Sequence, residues 1–222
     1  VPDSAAVIGC LHGSMSGPVD IANWGLPGEY LWIRHMARKG YVVAYPFPSS
    51  AAGIWSTLQD AFVQTEALGI SLYRNGDGHV RYGVTGNSLG GHNSFQLAAR
   101  VTGNEPPEAI MPVHSPDWTD LSTVPPATKI VQLCGFADNN SSTSFEHQES
   151  IWAKLAFVPC ANKTFIMVMN HRVPPAPVIW SDHMFPSTGT DSTNSELVNA
   201  LDFYGTWKLS VALFNCTFFG TD

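Results

Sequence analysis

A serine between two glycines is the feature of this sequence best suited to covalent chemistry. Residues 86–91 read Gly-Asn-Ser-Leu-Gly-Gly, which places Ser88 at the centre of a G-x-S-x-G motif. An apolar strand-like run precedes the motif and an apolar helix-like run follows it, which is the setting that this motif requires. Such a tight turn holds the serine in strained backbone geometry beside a helix N-terminus, whose dipole favours developing negative charge. We therefore predict Ser88 as a nucleophile.

The segment after the first predicted strand is a candidate for binding the negative charge that forms when a serine attacks a carbonyl group. It reads Leu-His-Gly-Ser over residues 11–14. In folds that present a serine on such a turn, a His-Gly pair at this place supplies one oxyanion donor. We predict the backbone N–H groups of Ser14 and Leu89 as the two donors. His12 precedes the serine in the chain, and we interpret it as a residue that shapes the turn.

An aspartate downstream of the serine is the candidate for the acidic partner. Asp138 comes just after a predicted strand, where the side chains of a parallel sheet meet its ligands. There its carboxylate would orient a histidine base and stabilise the imidazolium. Asp117 follows the preceding strand and is the alternative, but its Ser-Pro-Asp-Trp context is typical of a turn. We therefore predict Asp138 as the acid.

The base must follow the acid in this chain order, and three histidines do so. His147 falls inside a predicted helix beside acidic residues, so a solvated helix face explains it. His171 comes directly after the last predicted strand, and His183 precedes the last predicted helix. Both lie in the loop that normally carries such a base, and the residues alone leave this choice open. Asp182 is adjacent to His183 but is given no role.

Short β-branched runs alternate with longer segments of helical period, and no internal repeat is present. Runs of this kind between helices predict a parallel sheet that is buried on both faces. The predicted strands are Ala5–Cys10, Tyr41–Tyr45, Val80–Thr85, Ala109–Val113, Lys129–Cys134 and Thr164–Met169. The predicted helices are Glu29–Lys39, Ile54–Leu72, Leu89–Val101, Ser144–Leu155 and Asn194–Phe214.

This order of elements predicts one doubly wound α/β domain over residues 1–222, with ligands bound at the carboxyl ends of the strands. Together with the serine turn and the order serine, acid, histidine, it predicts the α/β-hydrolase fold. We expect a mostly parallel sheet of about six or more strands, with helices on both faces.

Composition excludes several classes of protein. Hydrophobic residues make up 44% of the 222 residues and charged residues only 13%, which excludes a disordered chain or a coiled coil. The net charge of −7 argues against nucleic acid or an anionic membrane surface as a partner. No apolar run reaches the ~18 residues of a membrane span. The first residue is valine rather than an initiator methionine, so we expect a mature or trimmed form.

The cysteines and possible glycan sites bear on the compartment. Cys10 and Cys134 lie in apolar runs typical of small buried residues, whereas the positions of Cys160 and Cys216 favour a disulfide. No cysteine or histidine cluster has zinc spacing. Low charge, an even cysteine count and possible glycan sites predict a secreted or extracellular protein. These N-x-S/T sites lie at Asn139, Asn140, Asn162 and Asn215.

The sequence around these positions resembles the dienelactone-hydrolase and cutinase-like branch of the α/β hydrolases, in particular polyester (PET-type) hydrolases and related small esterases. The resemblance runs over most of the chain. It is carried by residues 40–43 in an early strand, by Ser88 in Gly-x-Ser-x-Gly-Gly, by residues 115–118, by residues 181–183 and by residues 203–216.

This resemblance implies ester hydrolysis through an acyl-enzyme, with His183 rather than His171 as the base. It implies that Trp118 and Ser14 flank the acyl cleft. The sequence departs from the family where Ser14 replaces an aromatic residue, where Asn87 replaces histidine or tryptophan, and where Leu89 replaces methionine. These departures bear on polyester activity and leave esterase chemistry in place.

We expect a small-molecule or polymeric ester as the substrate, no metal or organic cofactor, and a monomer. The alternatives are a thioesterase, lipase or peptidase with the same triad, or a binding protein that retains the fold without catalysis. A binding protein of this kind is expected to lack one member of the triad, and the sequence lacks none.

Overall fold

Six parallel strands form one sheet in the part of the chain that the computed structural model describes, which is residues 4–13, 27–47, 50–101, 103–170, 179–186 and 200–220. Their order across the sheet is β2-β1-β3-β4-β5-β6, and every neighbouring pair is parallel. The strands are β1 (Val7–Leu11), β2 (Val42–Ala44), β3 (Tyr82–Asn87), β4 (Ala109–Val113), β5 (Lys129–Gly135) and β6 (Lys163–Val168).

The helices connect these strands, as the alternation in the sequence predicts. A π-helical segment, Leu201–Trp207, runs directly into the last helix, and a short 3-10 turn, Cys160–Asn162, precedes β6. The helices are α1 (Pro27–Arg38), α2 (Ala51–Ala67), α3 (Leu89–Ala98), α4 (Phe145–Lys154) and α5 (Lys208–Phe219).

Each face of the sheet carries its own apolar core, because successive strand residues point to opposite sides. On one face Ile110 of β4 belongs to a cluster with Leu58 of α2, Phe95 of α3 and Ile151 of α4. On the other face Met111 belongs to a cluster formed with α1 and α5. The predicted parallel sheet with helices on both faces is confirmed.

Most described element ends differ from the sequence prediction by one to five residues; α2, for example, ends at Ala67 rather than Leu72. The strand before Ser88 ends at Asn87, two residues later than predicted, because its last residues continue the parallel ladder with β4. The last helix extends to Phe219 rather than Phe214 and ends where Gly220 takes a left-handed φ of 64°. The predicted start of that helix, Asn194, lies outside the described residues.

All four cysteines are free. Cys10 and Cys134 are buried, as predicted, whereas Cys160 and Cys216 are exposed and do not form the disulfide that their positions favour. Among the described helices none is both long and apolar enough to cross a membrane.

The contact between β3 and α5 depends on a glycine. The fully buried ring of Phe214 lies directly over Gly83, so that an added Cβ would overlap Cε1 and lie 2.8 Å from Cδ1. We expect Gly83→Ala to lower the free energy of unfolding by about 1–3 kcal/mol through overpacking, as measured by urea denaturation. Gly76→Ala is the control, because a Cβ there meets no atom within 4 Å. Equal effects of the two substitutions would contradict this account.

Candidate active site

Ser88 occupies the turn between β3 and α3 with a strained backbone conformation that the surrounding structure must stabilise. Its φ of 55° and ψ of −119° are unfavourable for a residue with a Cβ, at a cost of order 1–3 kcal/mol. Its N–H donates to the carbonyl of Val113 at 2.9 Å, which fixes the turn against the end of β4. The backbone geometry is that of a strand-to-helix turn that presents its serine at the sheet edge.

The glycines on both sides of Ser88 are required by the approach of β1. A Cβ at Gly86 or at Gly90 would overlap the carbonyl oxygen of Leu11, the last residue of β1. Because neither carries one, the chain after β1 reaches the nucleophile turn, and a Cβ built on Gly13 would lie 3.7 Å from Cβ of Ser88. The segment predicted to bind an oxyanion therefore borders the serine.

One of the two predicted oxyanion donors can be placed. Leu89 is the first residue of α3, where backbone N–H groups have no partner within the helix. Ser14 lies outside the described residues. The ring of His12 lies between two carbonyl groups, with Nδ1 2.6 Å from the oxygen of Gly13 and Nε2 2.8 Å from that of Phe47. His12 thus holds the segment after β1 to the segment after β2, in agreement with a role in shaping this turn.

Asp138 and His183 lie together at the same sheet edge. Nδ1 of His183 is 3.0 Å from Oδ2 of Asp138, whose side chain is almost fully buried. Thr143 Oγ1 donates to the same oxygen at 2.8 Å, and the N–H of Asn140 donates to Oδ1 at 3.0 Å. Because the carboxylate only accepts, the imidazole carries its proton on Nδ1 and leaves Nε2 free to accept one.

The surroundings of Asp138 keep it ionised. Burial raises the pKa of this carboxyl, but the hydrogen bond from His183, the field of His114 and the N–H of Asn140 together lower the pKa below its ordinary value of 3.8. At neutral pH the group is therefore a buried carboxylate, the species that stabilises an imidazolium.

The segment that carries His183 is anchored from β5 and from the residues after β6. The carbonyl of Ser181 accepts the N–H of Ala137 at 3.1 Å, and both the N–H and the hydroxyl of Ser181 donate to Oδ1 of Asn170 at 2.9 Å. This carbonyl lies so close to Gly135 that any Cβ there would overlap it. The glycine at the end of β5 thus makes room for the segment that carries His183.

A second histidine at this edge was missed by sequence reasoning. His114 follows β4, is fully buried and has a positive φ of 46°. Its Nε2 accepts the N–H of Gly135 at 2.7 Å, and its Nδ1 is 3.1 Å from Oδ1 of Asn87. Nε2 also lies 3.8 Å from Oδ2 of Asp138. A histidine directly after an apolar strand was the signal available, since that position is the ligand-binding edge of a parallel sheet.

Burial keeps His114 neutral. It lowers the pKa of the imidazole to about 3, although the charge of Asp138 acts to raise it. The charge of His183 lowers it further, whereas the backbone carbonyl of His183 raises it. His114 is therefore an uncharged hydrogen-bonding group throughout the neutral pH range.

His114, Asp138 and His183 also come close enough together to be compared with a metal site, since their ligand atoms lie within 4.8 Å of one another. Two of those atoms are already used in hydrogen bonding. Nε2 of His114 accepts the N–H of Gly135, and Nδ1 of His183 faces the carboxylate. Since a metal ion needs these lone pairs, the arrangement fits a histidine–carboxylate pair better than a cation site.

The alternative acid, Asp117, and the histidine interpreted as a helix-face residue, His147, are not brought into this cluster. Oδ1 of Asp117 lies 2.5 Å from Nζ of Lys154 and its Oδ2 accepts a hydrogen bond from Ser150 at 2.5 Å, so Asp117 pairs with two residues of α4. His147 lies half-buried on α4, with Nε2 2.9 Å from the carbonyl of Ser141. His171 lies outside the described residues.

Trp118, the predicted substrate contact, lies on the surface with 62% of its area exposed. Its ring meets that of His92 edge-on at 5.3 Å between centroids, and Nδ1 of His92 is 3.0 Å from Oγ1 of Thr119. Trp118 also borders a surface cavity of about 490 Å³ together with Phe157 and neighbouring residues. None of Ser88, Asp138 and His183 lines that cavity, so the indole is exposed to solvent but the cavity does not join it to the candidate site.

Comparison with known proteins gives the fold. No protein-family model matches the chain, and no curated protein matches it by sequence. The apo form of esterase 2 from Thermogutta terrifontis is similar in structure, with a TM-score of 0.62 and 14% identity over 99% of this chain and 87% of that one. An inhibited esterase B from Lactobacillus rhamnosis gives a TM-score of 0.56 and 14% identity, over 96% of this chain and 77% of that one.

A third similar structure is the acylaminoacyl peptidase of Pyrococcus horikoshii. The TM-score is 0.58 and the identity 12%, over 98% of this chain but only 38% of the peptidase. With its all-parallel six-stranded sheet covered by helices, the chain has the α/β-hydrolase fold.

The neutral, buried state of His114 predicts how stability depends on pH. Unfolding releases the imidazole, which then binds a proton with an ordinary pKa of 6.5, whereas the folded form binds one only near pH 3. Between these values the unfolded state holds more protons, so the free energy of unfolding falls as pH decreases, by up to about 1.4 kcal/mol per pH unit. We expect His114→Asn to show a shallower decline between about pH 6 and pH 4 in urea denaturation. Parallel curves for the two proteins would contradict this expectation.

Proposed function

We propose that this chain is a serine hydrolase that cleaves carboxylic esters through an acyl-enzyme on Ser88, with His183 as the base and Asp138 as the acid. One observation carries the proposal. The residue next to the nucleophile, Asn87, donates its side-chain N–H to the carbonyl of His183 at 3.2 Å, while His183 is itself paired with Asp138 at 3.0 Å. The residue before the strained serine thus contacts the backbone of the histidine that pairs with the carboxylate. This contact supports a triad of Ser88, Asp138 and His183 in the chain order that this fold uses.

The proposed acylation follows from the pairing of His183 with Asp138. Nε2 of His183 takes the proton of the Ser88 hydroxyl as Oγ attacks the ester carbonyl carbon. The negative charge moves to the carbonyl oxygen, which the N–H groups of Leu89 and Ser14 are proposed to bind. As the C–O bond to the alcohol breaks, His183 returns the proton to the leaving alkoxide.

Deacylation repeats these steps with water. His183 removes a proton from water as its oxygen attacks the acyl carbon, and the proton returns to Oγ of Ser88 as the acid product leaves. During both half-reactions the buried carboxylate of Asp138 stabilises the imidazolium without taking its proton. The N-terminus of α3 adds a favourable field for the developing oxyanion.

The ester class and the family branch come from the sequence resemblance. We assign the chain to the dienelactone-hydrolase and cutinase-like branch on that resemblance, and we propose Trp118 as a contact for the acyl part. Thioesters, lipids and peptides are attacked by the same triad chemistry. Kinetics on short p-nitrophenyl esters, compared with acyl-thioester and peptide substrates, separates these classes.

The nucleophile is tested by covalent labelling. We expect a fluorophosphonate probe to label the intact protein on Ser88, because the serine is activated by a neighbouring histidine. The Ser88→Ala variant should neither be labelled nor turn over p-nitrophenyl esters above background. Absence of labelling in the intact, folded protein would exclude a serine hydrolase.

The base is tested by a matched pair of variants. His183→Ala removes the imidazole that is hydrogen-bonded to Asp138, so we expect esterase turnover to fall by at least about 1,000-fold. His171→Ala should leave most of the turnover, since the proposed base remains. The measurement is kcat on a p-nitrophenyl ester, and the reverse result would assign the base to His171.

A further inference from the structure

His114 and Asn87 form a hydrogen-bonded pair at the same sheet edge, and the proposed mechanism gives neither a task. Oδ1 of Asn87 lies 3.1 Å from Nδ1 of His114, and Nδ2 of Asn87 lies 3.2 Å from the carbonyl oxygen of His183. At the other end Nε2 of His114 accepts the N–H of Gly135 at 2.7 Å. These three contacts join the ends of β3, β4 and β5 to the backbone of the base.

The donors in this network all point the same way. Because the Gly135 amide is a donor, Nε2 of His114 accepts and its ring proton lies on Nδ1. Asn87 must then turn its oxygen to His114, which leaves its NH₂ group for the carbonyl of His183. Flipping the amide or moving the ring proton would place two buried donors against each other, at a cost of about 1–3 kcal/mol. The three hydrogen bonds from Gly135 to His183 can therefore form with only one assignment of donors and acceptors. Each bond polarises the next one.

Packing fixes the position of the network. His114 is fully buried and Asn87 is 5% exposed. The His114 ring lies 5.1 Å from the ring of His183 at a tilt of 32°, and Phe185 meets it edge-on, also at 5.1 Å. The base therefore lies against a second imidazole that has no freedom to rotate.

We infer that His114, acting through Asn87, is a positioning residue that fixes the imidazole of His183 between Asp138 and Ser88; this role rests on the proposed hydrolase function. Neither side chain is required to touch the substrate. Loss of the network lets the 179–186 segment move relative to the nucleophile turn. Such a displacement acts on the proton-transfer step, so it lowers kcat rather than raising KM.

Three substitutions of His114 separate the bonds that it makes. His114→Phe keeps the ring volume but neither bond. His114→Gln places an amide where Nε2 lies and keeps the Gly135 contact alone, whereas His114→Asn places its amide nitrogen where Nδ1 lies and keeps the contact to Asn87. We expect kcat to fall by about 10- to 100-fold in the first two variants while KM stays near its wild-type value. The kcat of His114→Asn is expected to be about tenfold higher than that of His114→Phe.

Asn87→Leu tests the other half of the network, since it removes both bonds of the amide but leaves the His114 ring in place. If His114 acts through Asn87, the double variant with His114→Phe loses no more kcat than the worse single variant, because both remove the same connection. Thr123→Val is the control for general destabilisation. It removes a hydrogen bond to the carbonyl of Ala99 at the far end of α3 and should leave kcat unchanged.

A second readout does not depend on turnover. The Nδ1 proton shared by His183 and Asp138 gives its own ¹H NMR resonance when it is shielded from water. We expect His114→Phe and Asn87→Leu to broaden or abolish this resonance, and Thr123→Val to retain it. Should His114→Phe fail to fold, Asn87→Leu provides the same comparison.

These readouts distinguish failure of the inference from failure of the proposed function. If the intact protein is not labelled by the fluorophosphonate but the NMR effect is present, the hydrolase proposal is wrong and the positioning of His183 stands. If labelling is present but kcat and the resonance survive in His114→Phe, the inference is wrong. It is also wrong if His114→Asn loses as much kcat as His114→Phe at equal thermal stability.

Discussion

The candidate site depends on one buried negative charge. The side chain of Asp138 is almost completely removed from water, and an isolated carboxylate in such a place would be protonated or would destabilise the fold. Donors from three directions prevent this: Thr143 Oγ1, the N–H of Asn140 and Nδ1 of His183. The hydrogen bond from His183 therefore does two things. It stabilises the charged form of the carboxylate, and it holds the imidazole in place for its proposed role.

His114 stays neutral in spite of the same charge, because it is completely buried. A cationic imidazole 3.8 Å from Oδ2 would compete with His183 for the carboxylate, although the attraction between them would be strong. Complete burial and the field of His183 outweigh that attraction. His114 also uses its Nε2 lone pair to accept the N–H of Gly135. The carboxylate is thereby left to a single imidazole, which is what a base that must gain and lose a proton requires.

The sequence predicts the sheet and its helices well, because apolar runs on six strands and helical periods between them are local signals. It also predicts that Asp138 and His183 lie at the ligand-binding edge, and the structure brings these two together. It does not predict His114, because a single histidine after a strand has many explanations. Only the fold places it 2.7 Å from the N–H of Gly135 and against the ring of His183. The departure from the family at Asn87 likewise gains meaning only once its amide is seen to join two histidines.

The sheet itself explains how strained residues are retained at this edge. At the carboxyl end of β3, of β4 and of β5, the first residue after the strand still donates its backbone N–H to the neighbouring strand. Ser88 bonds to Val113 of β4 at 2.9 Å, His114 bonds to Leu133 of β5 at 3.0 Å, and Phe136 bonds to Val168 of β6 at 2.8 Å.

Two of these residues, Ser88 and His114, have positive φ values that their side chains disfavour. These hydrogen bonds fix the backbone of Ser88 and of His114 at the start of each turn. The strained φ values are therefore stabilised by bonding to the adjacent strand rather than by contacts within the loops. Each turn is thus fixed by the next strand in the sheet. Because β4 anchors Ser88 while β5 anchors His114, a shift of one strand against its neighbour would change the distance between the serine and the hydrogen bonds that reach the backbone of His183. The continuous parallel ladder is therefore the element that keeps the proposed nucleophile and the proposed base in register.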